Sequence, residues 1–192
     1  MVKQLEGLTP RGFRRYFEPF LGSGAVLLAV PSQYPRFGSD QNHDLIGAFL
    51  AVRDKPDELI AELQSFGVSR TDFLCVREEF NENTIEMAAD PLRRAAMFLY
   101  LNKTSFNGLY RVNQAGEFNV PWGKLENPLA KVSEQIRLVS NNLNVASSGG
   151  TFAEFDSLDY KTVLAQVGEN DWVFLDPPYA PVSKTADFVG YT

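Results

Sequence analysis

The sequence predicts an α/β protein: an open sheet with helices, interrupted by a mainly helical insertion that carries a hairpin loop. Three observations carry that expectation. Residues 16–21 (Tyr-Phe-Glu-Pro-Phe-Leu) read as a short buried strand that ends at Gly22-Ser23-Gly24 and leads into the apolar stretch 25–30, a unit of strand, glycine turn and helix. A second run, Trp172-Val173-Phe174-Leu175, passes directly into Asp176-Pro177-Pro178-Tyr179 and reads as a strand with a rigid exit. Between them, apolar residues recur mostly at helical spacing.

Taken in order, residues 38–40 mark a second strand end, and 44–63 are helical, with Leu45, Phe49, Val52, Leu59, Ile60 and Leu63 on one face. Pro56 must interrupt that helix or start a new one. Asp90-Pro91 is a helix start, because aspartate caps free amides and proline suits the first turn; that helix should end near Asn102. Residues 103–124 are rich in Gly, Asn, Phe and Tyr without a clean period, which indicates an ordered loop or short hairpin. Residues 132–143 are helical again, and 171–175 form the last strand.

A chain of 192 residues, 44% hydrophobic and 12% aromatic, has material for one domain, or one domain with an insertion. No apolar run approaches a bilayer span and residues 1–15 lack a signal-peptide core, so a soluble, cytoplasmic protein is expected. One cysteine, Cys75, and one histidine, His43, exclude a disulfide framework and disfavour both metal catalysis and a Ser-His-Asp triad. The net charge of -6 argues against a general polyanion binder, yet it is unevenly distributed. Residues 40–90 carry twelve acidic and four basic side chains, whereas 91–137 carry three acidic and seven basic. The basic segment, with Arg93, Arg94, Lys103, Arg111, Lys124, Lys131 and Arg137, suits a face toward phosphates, although a solvated charged face is the commoner explanation.

In an open α/β sheet, ligands bind beyond the carboxyl ends of the strands, and Gly22 and Gly24 stand at such an end. Ligand-free G-x-G turns are also common. A dinucleotide fingerprint needs a third glycine where Leu27 stands, so a nicotinamide or flavin nucleotide is disfavoured. Asp40 is placed to bind a polar part of a cofactor, and a turn-forming aspartate fits equally well. Asp176-Pro177-Pro178-Tyr179 is more specific. Its prolines remove two backbone donors and fix the chain, leaving the Asp176 carboxylate and the Pro177 carbonyl as oriented acceptors. An aromatic exocyclic amine donating to both would be drawn toward a pyramidal nitrogen with its lone pair free to attack an alkyl donor. Tyr179 can stack on an extruded base.

Five segments resemble the Dam-type DNA adenine-N6 methyltransferases, in that family's order: residues 18–24, 40–46, 98–102, 116–123 and 176–185. The similarity covers most of the chain from Tyr16 to Tyr191. It implies a Rossmann-like methyltransferase sheet with helices on both faces, S-adenosylmethionine as cofactor and N6 of adenine in double-stranded DNA as methyl acceptor, within a GATC-like site. It assigns Glu18, Phe20, Gly22, Gly24, Asp40 and Asp176 to the cofactor, and Asp176, Pro177 and Tyr179 to catalysis. Residues 106–111 match the family's hairpin, so that Phe106 wedges into the base stack while Asn107, Leu109 and Arg111 read or position bases. Asn113, Pro121 and Lys124 complete the DNA-facing set. Residues 1–55 and 138–192 then form the catalytic domain and 56–137 the target-recognition region. A partner restriction endonuclease belongs to the same picture. The family's Gly-Gly-Lys segment has no match in residues 1–15 and further elements are expected after Thr192, so the chain reads as truncated at both ends. Two alternatives stand beside this reading: an inactive DNA-binding remnant, and methylation of a protein amide or small-molecule amine. For glutamine amides, Asn rather than Asp normally leads the motif.

Overall fold

The computed structural model describes residues 12–82, 90–146, 150 and 152–178. The first strand, β1 (Tyr16–Glu18), is buried at every position, as a parallel strand covered on both faces must be. Gly24 then turns left-handed at φ 63° and opens α1 (Ala25–Ala29). Next come β2 (Arg36–Ser39) and α2 (His43–Asp54), whose start is capped by the Asn42 side chain accepting the Leu45 N–H. Pro56 begins a new helix, α3 (Pro56–Ser65), so the periodic stretch 44–63 is two helices joined at Lys55.

Helix α4 (Arg70–Glu82) has no counterpart among the sequence expectations. Asp90 caps α5 (Pro91–Thr104) by accepting the N–H groups of Leu92 and Arg93, and α5 runs two residues beyond the expected end at Asn102. Helix α6 (Val132–Leu143) has the expected bounds. The remaining elements are β3 (Glu154–Asp156), α7 (Tyr160–Leu164) and β4 (Trp172–Val173).

These strands form a parallel sheet in the order β3-β2-β1-β4. From β1 the chain winds outward through β2 to β3, then returns to place β4 on the other side of β1. The direction of winding therefore reverses between β1 and β4, and the ligand crevice of such a sheet opens at that reversal, beyond the carboxyl ends. Residues 19–24 follow one of these strands and 174–178 the other. Among the helices, α5 packs on α2, α3 and α4, and α6 on α1, α2 and α3. Tyr16, Leu27, Leu59, Phe73, Tyr100, Leu101 and Leu143 are wholly enclosed in this core.

The basic residues of 91–137 divide into ion-paired and exposed members. Arg93 pairs with Glu62 and Glu79, Arg94 with Asp44, and Arg137 with Asp57, so acidic residues of 40–90 neutralise basic residues of 91–137 across the helix interfaces. Arg111, Lys124 and Lys131 stay on the exposed surface.

After α5, residues 105–124 form an ordered loop, pinned by antiparallel bridges Ser105 to Trp122 and Val112 to Phe118, with a short 3-10 turn at Phe106–Gly108. Asn107 adopts a positive φ of 56° inside that turn, a conformation asparagine tolerates better than most residues.

Candidate active site

At the reversal between β1 and β4 lies a cleft of about 650 Å³, lined by residues 18–23, Ala25, Val26, Asp40, Gln41, Tyr160, Leu164 and 174–178. It brings together Glu18, Phe20, Gly22, Asp40, Asp176 and Pro177. Gly24 stands behind the wall: a Cβ there would lie 2.9 Å from the Phe49 ring, so this glycine lets the turn close on α2. Tyr179 lies outside the described residues.

The turn is organised by Asp40, whose Oδ2 accepts the Gly22 N–H at 3.0 Å while Oδ1 accepts the Asn42 N–H at 3.0 Å. The two readings of Asp40 are therefore compatible: it shapes the turn and also lines the cleft. Further along, the Ser157 hydroxyl donates to the Asp40 carbonyl at 2.9 Å, and the Leu158 N–H donates to Ser39 Oγ at 3.1 Å, tying the ends of β2 and β3.

Glu18 is only 3% exposed. Its Oε2 accepts the Tyr16 hydroxyl at 2.7 Å and the Leu27 N–H at 2.8 Å. Burial pushes the carboxyl up to about 7; the two hydrogen bonds oppose this and the nearby Asp176 charge adds to it. Burial raises the Tyr16 phenol as well, with Glu18 contributing, so Tyr16 remains a donor.

Three carboxyl groups, from Glu18, Asp40 and Asp176, the glycine turn and the stacked rings of Phe20 and Tyr160, 5.4 Å apart, suit an elongated ligand with a cationic end and a flat aromatic part. S-adenosylmethionine fits that description. Glu18, Phe20, Gly22, Asp40 and Asp176 are the sequence-derived residues that would hold it. Gln41, Tyr160, Leu164 and Phe174 line the same cleft and were not anticipated. Tyr160 and Leu164 lie on the short helix α7; the Asp159 cap, which accepts the Lys161 N–H at 2.9 Å, was the available sequence signal.

The anticipated DNA-facing residues share the loop 105–124. Phe106 and Leu109 are each 51% exposed, a high value for large apolar side chains. Arg111 donates from Nε to Asn119 Oδ1 at 2.7 Å, which orients the guanidinium by one edge. Asn113 is used within the loop: its Oδ1 accepts the Ala115 and Glu117 N–H groups and its Nδ2 donates to Glu117 Oε2. The Pro121 carbonyl accepts the Phe106 N–H at 2.8 Å, which anchors the root of the 3-10 turn. Lys124 is exposed and has a φ of 56°. Leu125, 51% exposed beside it, was not anticipated.

An open parallel sheet with a glycine turn and a proline-locked aspartate facing each other at its reversal is a Rossmann-like methyltransferase architecture. The chain belongs to the D12 class N6 adenine-specific DNA methyltransferases, a family matched over residues 1–192. It is 36% identical to the Type II methyltransferase M.MjaIII of Methanocaldococcus jannaschii over 213 residues, covering 100% of this chain and 69% of that protein. It is 36% identical to the DNA adenine methylase of Escherichia coli strain K12 over 179 residues, covering 91% of this chain and 59% of that protein. With the DNA N-6-adenine-methyltransferase of Escherichia phage P1 the identity is 35% over 195 residues, covering 100% of this chain and 24% of that protein. The chain thus spans about two thirds or less of the length of these relatives. Members of this family take their methyl group from S-adenosylmethionine. Among the described residues, no helix is long and apolar enough to cross a membrane.

Proposed function

We propose that the protein methylates N6 of adenine within a short site in double-stranded DNA. The observation that carries this reading is that Asp176 and Pro177 line one cleft with Glu18, Gly22 and Asp40. When bound there, S-adenosylmethionine supplies the electrophilic methyl group. The Asp176 carboxylate and the Pro177 carbonyl accept the two hydrogens of the target amine, withdrawing its lone pair from the ring. Pro177 and Pro178 hold these acceptors still, so alignment precedes reaction. Tyr179 stacks on the extruded adenine.

On the recognition side, residues 56–137 form the target-recognition region, separate from the catalytic segments 1–55 and 138–192. Phe106 wedges into the stack left by the target base, Asn107, Leu109, Asn113 and Pro121 line the groove, Arg111 reads a guanine edge, and Lys124 binds phosphate. A GATC-like site, a partner restriction endonuclease and a cytoplasmic location follow from the resemblance and belong to the same proposal.

The test is sequencing of genomic DNA, by a method sensitive to N6-methyladenine, from cells expressing the intact gene. One short motif should carry the mark, and Asp176→Ala should erase it. Unmodified adenine in the wild-type culture would sink the reading.

A further inference from the structure

A second cleft, of about 520 Å³, separates the two halves of the proposed machinery. Gly22, Ser23 and Asp40 stand on its wall together with Asn102, Lys103 and Tyr110, so cofactor turn and recognition loop face one another across open space. Their spacing must be set by the helices around that cleft. We infer that Asn81 and Arg94 are positioning residues that fix the recognition loop relative to the cofactor turn, and thereby set how well the enzyme discriminates its DNA site. This inference rests on the function proposed above.

The connection begins just after Asp40, at the start of α2. There the buried Asp44 accepts two hydrogen bonds from Arg94 of α5, Nε to Oδ1 at 2.7 Å and Nη2 to Oδ2 at 3.0 Å. The same guanidinium donates from Nη1 to the Phe80 carbonyl at 2.7 Å and lies 3.9 Å over the Phe80 ring. Arg94 therefore clamps α2, α4 and α5 with one planar group, which a lysine ammonium cannot reproduce.

The next residue completes the path. Asn81 treats Phe118 as a strand partner: its Oδ1 accepts the Phe118 N–H at 2.8 Å and its Nδ2 donates to the Phe118 carbonyl at 3.1 Å. Phe118 is 1% exposed, meets the Phe80 ring edge-on and the Tyr110 ring at 5.7 Å, and bridges to Val112. Arg111 stands between Tyr110 and Val112, and its carbonyl accepts the Asn119 N–H at 3.1 Å. Whatever moves Phe118 therefore moves the base of the strand that presents Arg111. Neither Asn81 nor Arg94 lines either cleft, so both act through other residues.

The experiment uses the intact protein and steady-state methylation of two duplexes, one with the preferred site and one altered by a single base pair. For Asn81→Ala, KM for the preferred duplex should rise by roughly tenfold, discrimination between the duplexes should fall by a similar factor, the melting temperature should fall by a few degrees as the Phe118 N–H and carbonyl lose their partner, and the S-adenosylmethionine Kd should change little. Asn81→Asp, which keeps the acceptor for the Phe118 N–H, should recover part of both losses, and Arg94→Lys should reproduce the fall in discrimination. Unchanged KM and discrimination in Asn81→Ala with an active wild type would overturn this inference alone. An equal loss of cofactor affinity would reduce Asn81 to a general stabiliser and overturn it too. A wild type that methylates neither duplex would overturn the proposed function, and this inference with it.

Discussion

The Gly22 N–H donates to Asp40 Oδ2 at 3.0 Å, so the acid at the end of β2 holds the turn at the end of β1. An exposed backbone N–H loses little when its partner is removed, but the turn loses its fixed shape. Asp40→Ala should therefore weaken S-adenosylmethionine binding by about tenfold or more in isothermal titration, while Asp40→Asn, which keeps an acceptor, should be milder. Equal affinities for all three proteins would show that the turn keeps its shape without Asp40.

Asp176 should matter for chemistry far more than for binding. Removing one oriented group that stabilises a transition state lowers kcat by about 10²–10³ in comparable cases. Single-turnover methylation by Asp176→Ala should slow by at least that factor, with the Kd for DNA within about threefold of wild type. A parallel collapse of DNA binding would reassign the residue to recognition.

The Glu18 carboxyl gives a pH dependence of defined sign. Its ordinary value is 4.5 and burial raises it to about 7, so between these values the folded chain holds a proton that the unfolded chain has released. Stability must therefore fall as pH rises through that window, by on the order of 3 kcal/mol, and level off above it. Urea denaturation at pH 5, 6 and 8 should show the decline, and Glu18→Gln should flatten it. A cationic ligand in the cleft favours the carboxylate, so S-adenosylmethionine should bind with release of protons near pH 6, measurable as a buffer-dependent heat.

Phe106→Ala tests the wedge. With the ring 51% exposed in the absence of DNA, its removal should leave the melting temperature within a degree or two. The fluorescence rise of 2-aminopurine at the target position should nevertheless be lost. Arg111→Ala should reduce preference for one base pair of the site by about 1–3 kcal/mol. Uniform weakening on every sequence would instead make Arg111 a phosphate contact.

The glycine turn, the Asp40 strand end and the rigid exit at Asp176 were legible because each depends on local chemistry: positive φ, an acceptor at a strand terminus, and prolines without N–H groups. Helix α6 was legible in full because its apolar residues share one face, whereas β3 was missed because three residues, alternating exposed and buried, leave almost no periodic signal. Tyr160 and Gln41 entered the cleft through the fold, since parallel pairing of β2 with β3 brings their carboxyl ends together. The partners of the basic segment were illegible for a related reason. Net charge along the chain does not reveal that Arg93, Arg94 and Arg137 meet acidic partners from a preceding stretch. Asn81 had no sequence signature, because an amide that imitates a neighbouring strand is recognisable only once its partner is in place.

Strands β2 and β3 are direct neighbours, although residues 40–153 separate them in the chain. Everything that reads DNA in the proposed scheme thus leaves and rejoins the sheet at one margin, like a tool head clipped to a handle. A lineage built this way can trade one target sequence for another by remodelling that excursion, while the strands that carry the reaction keep their register.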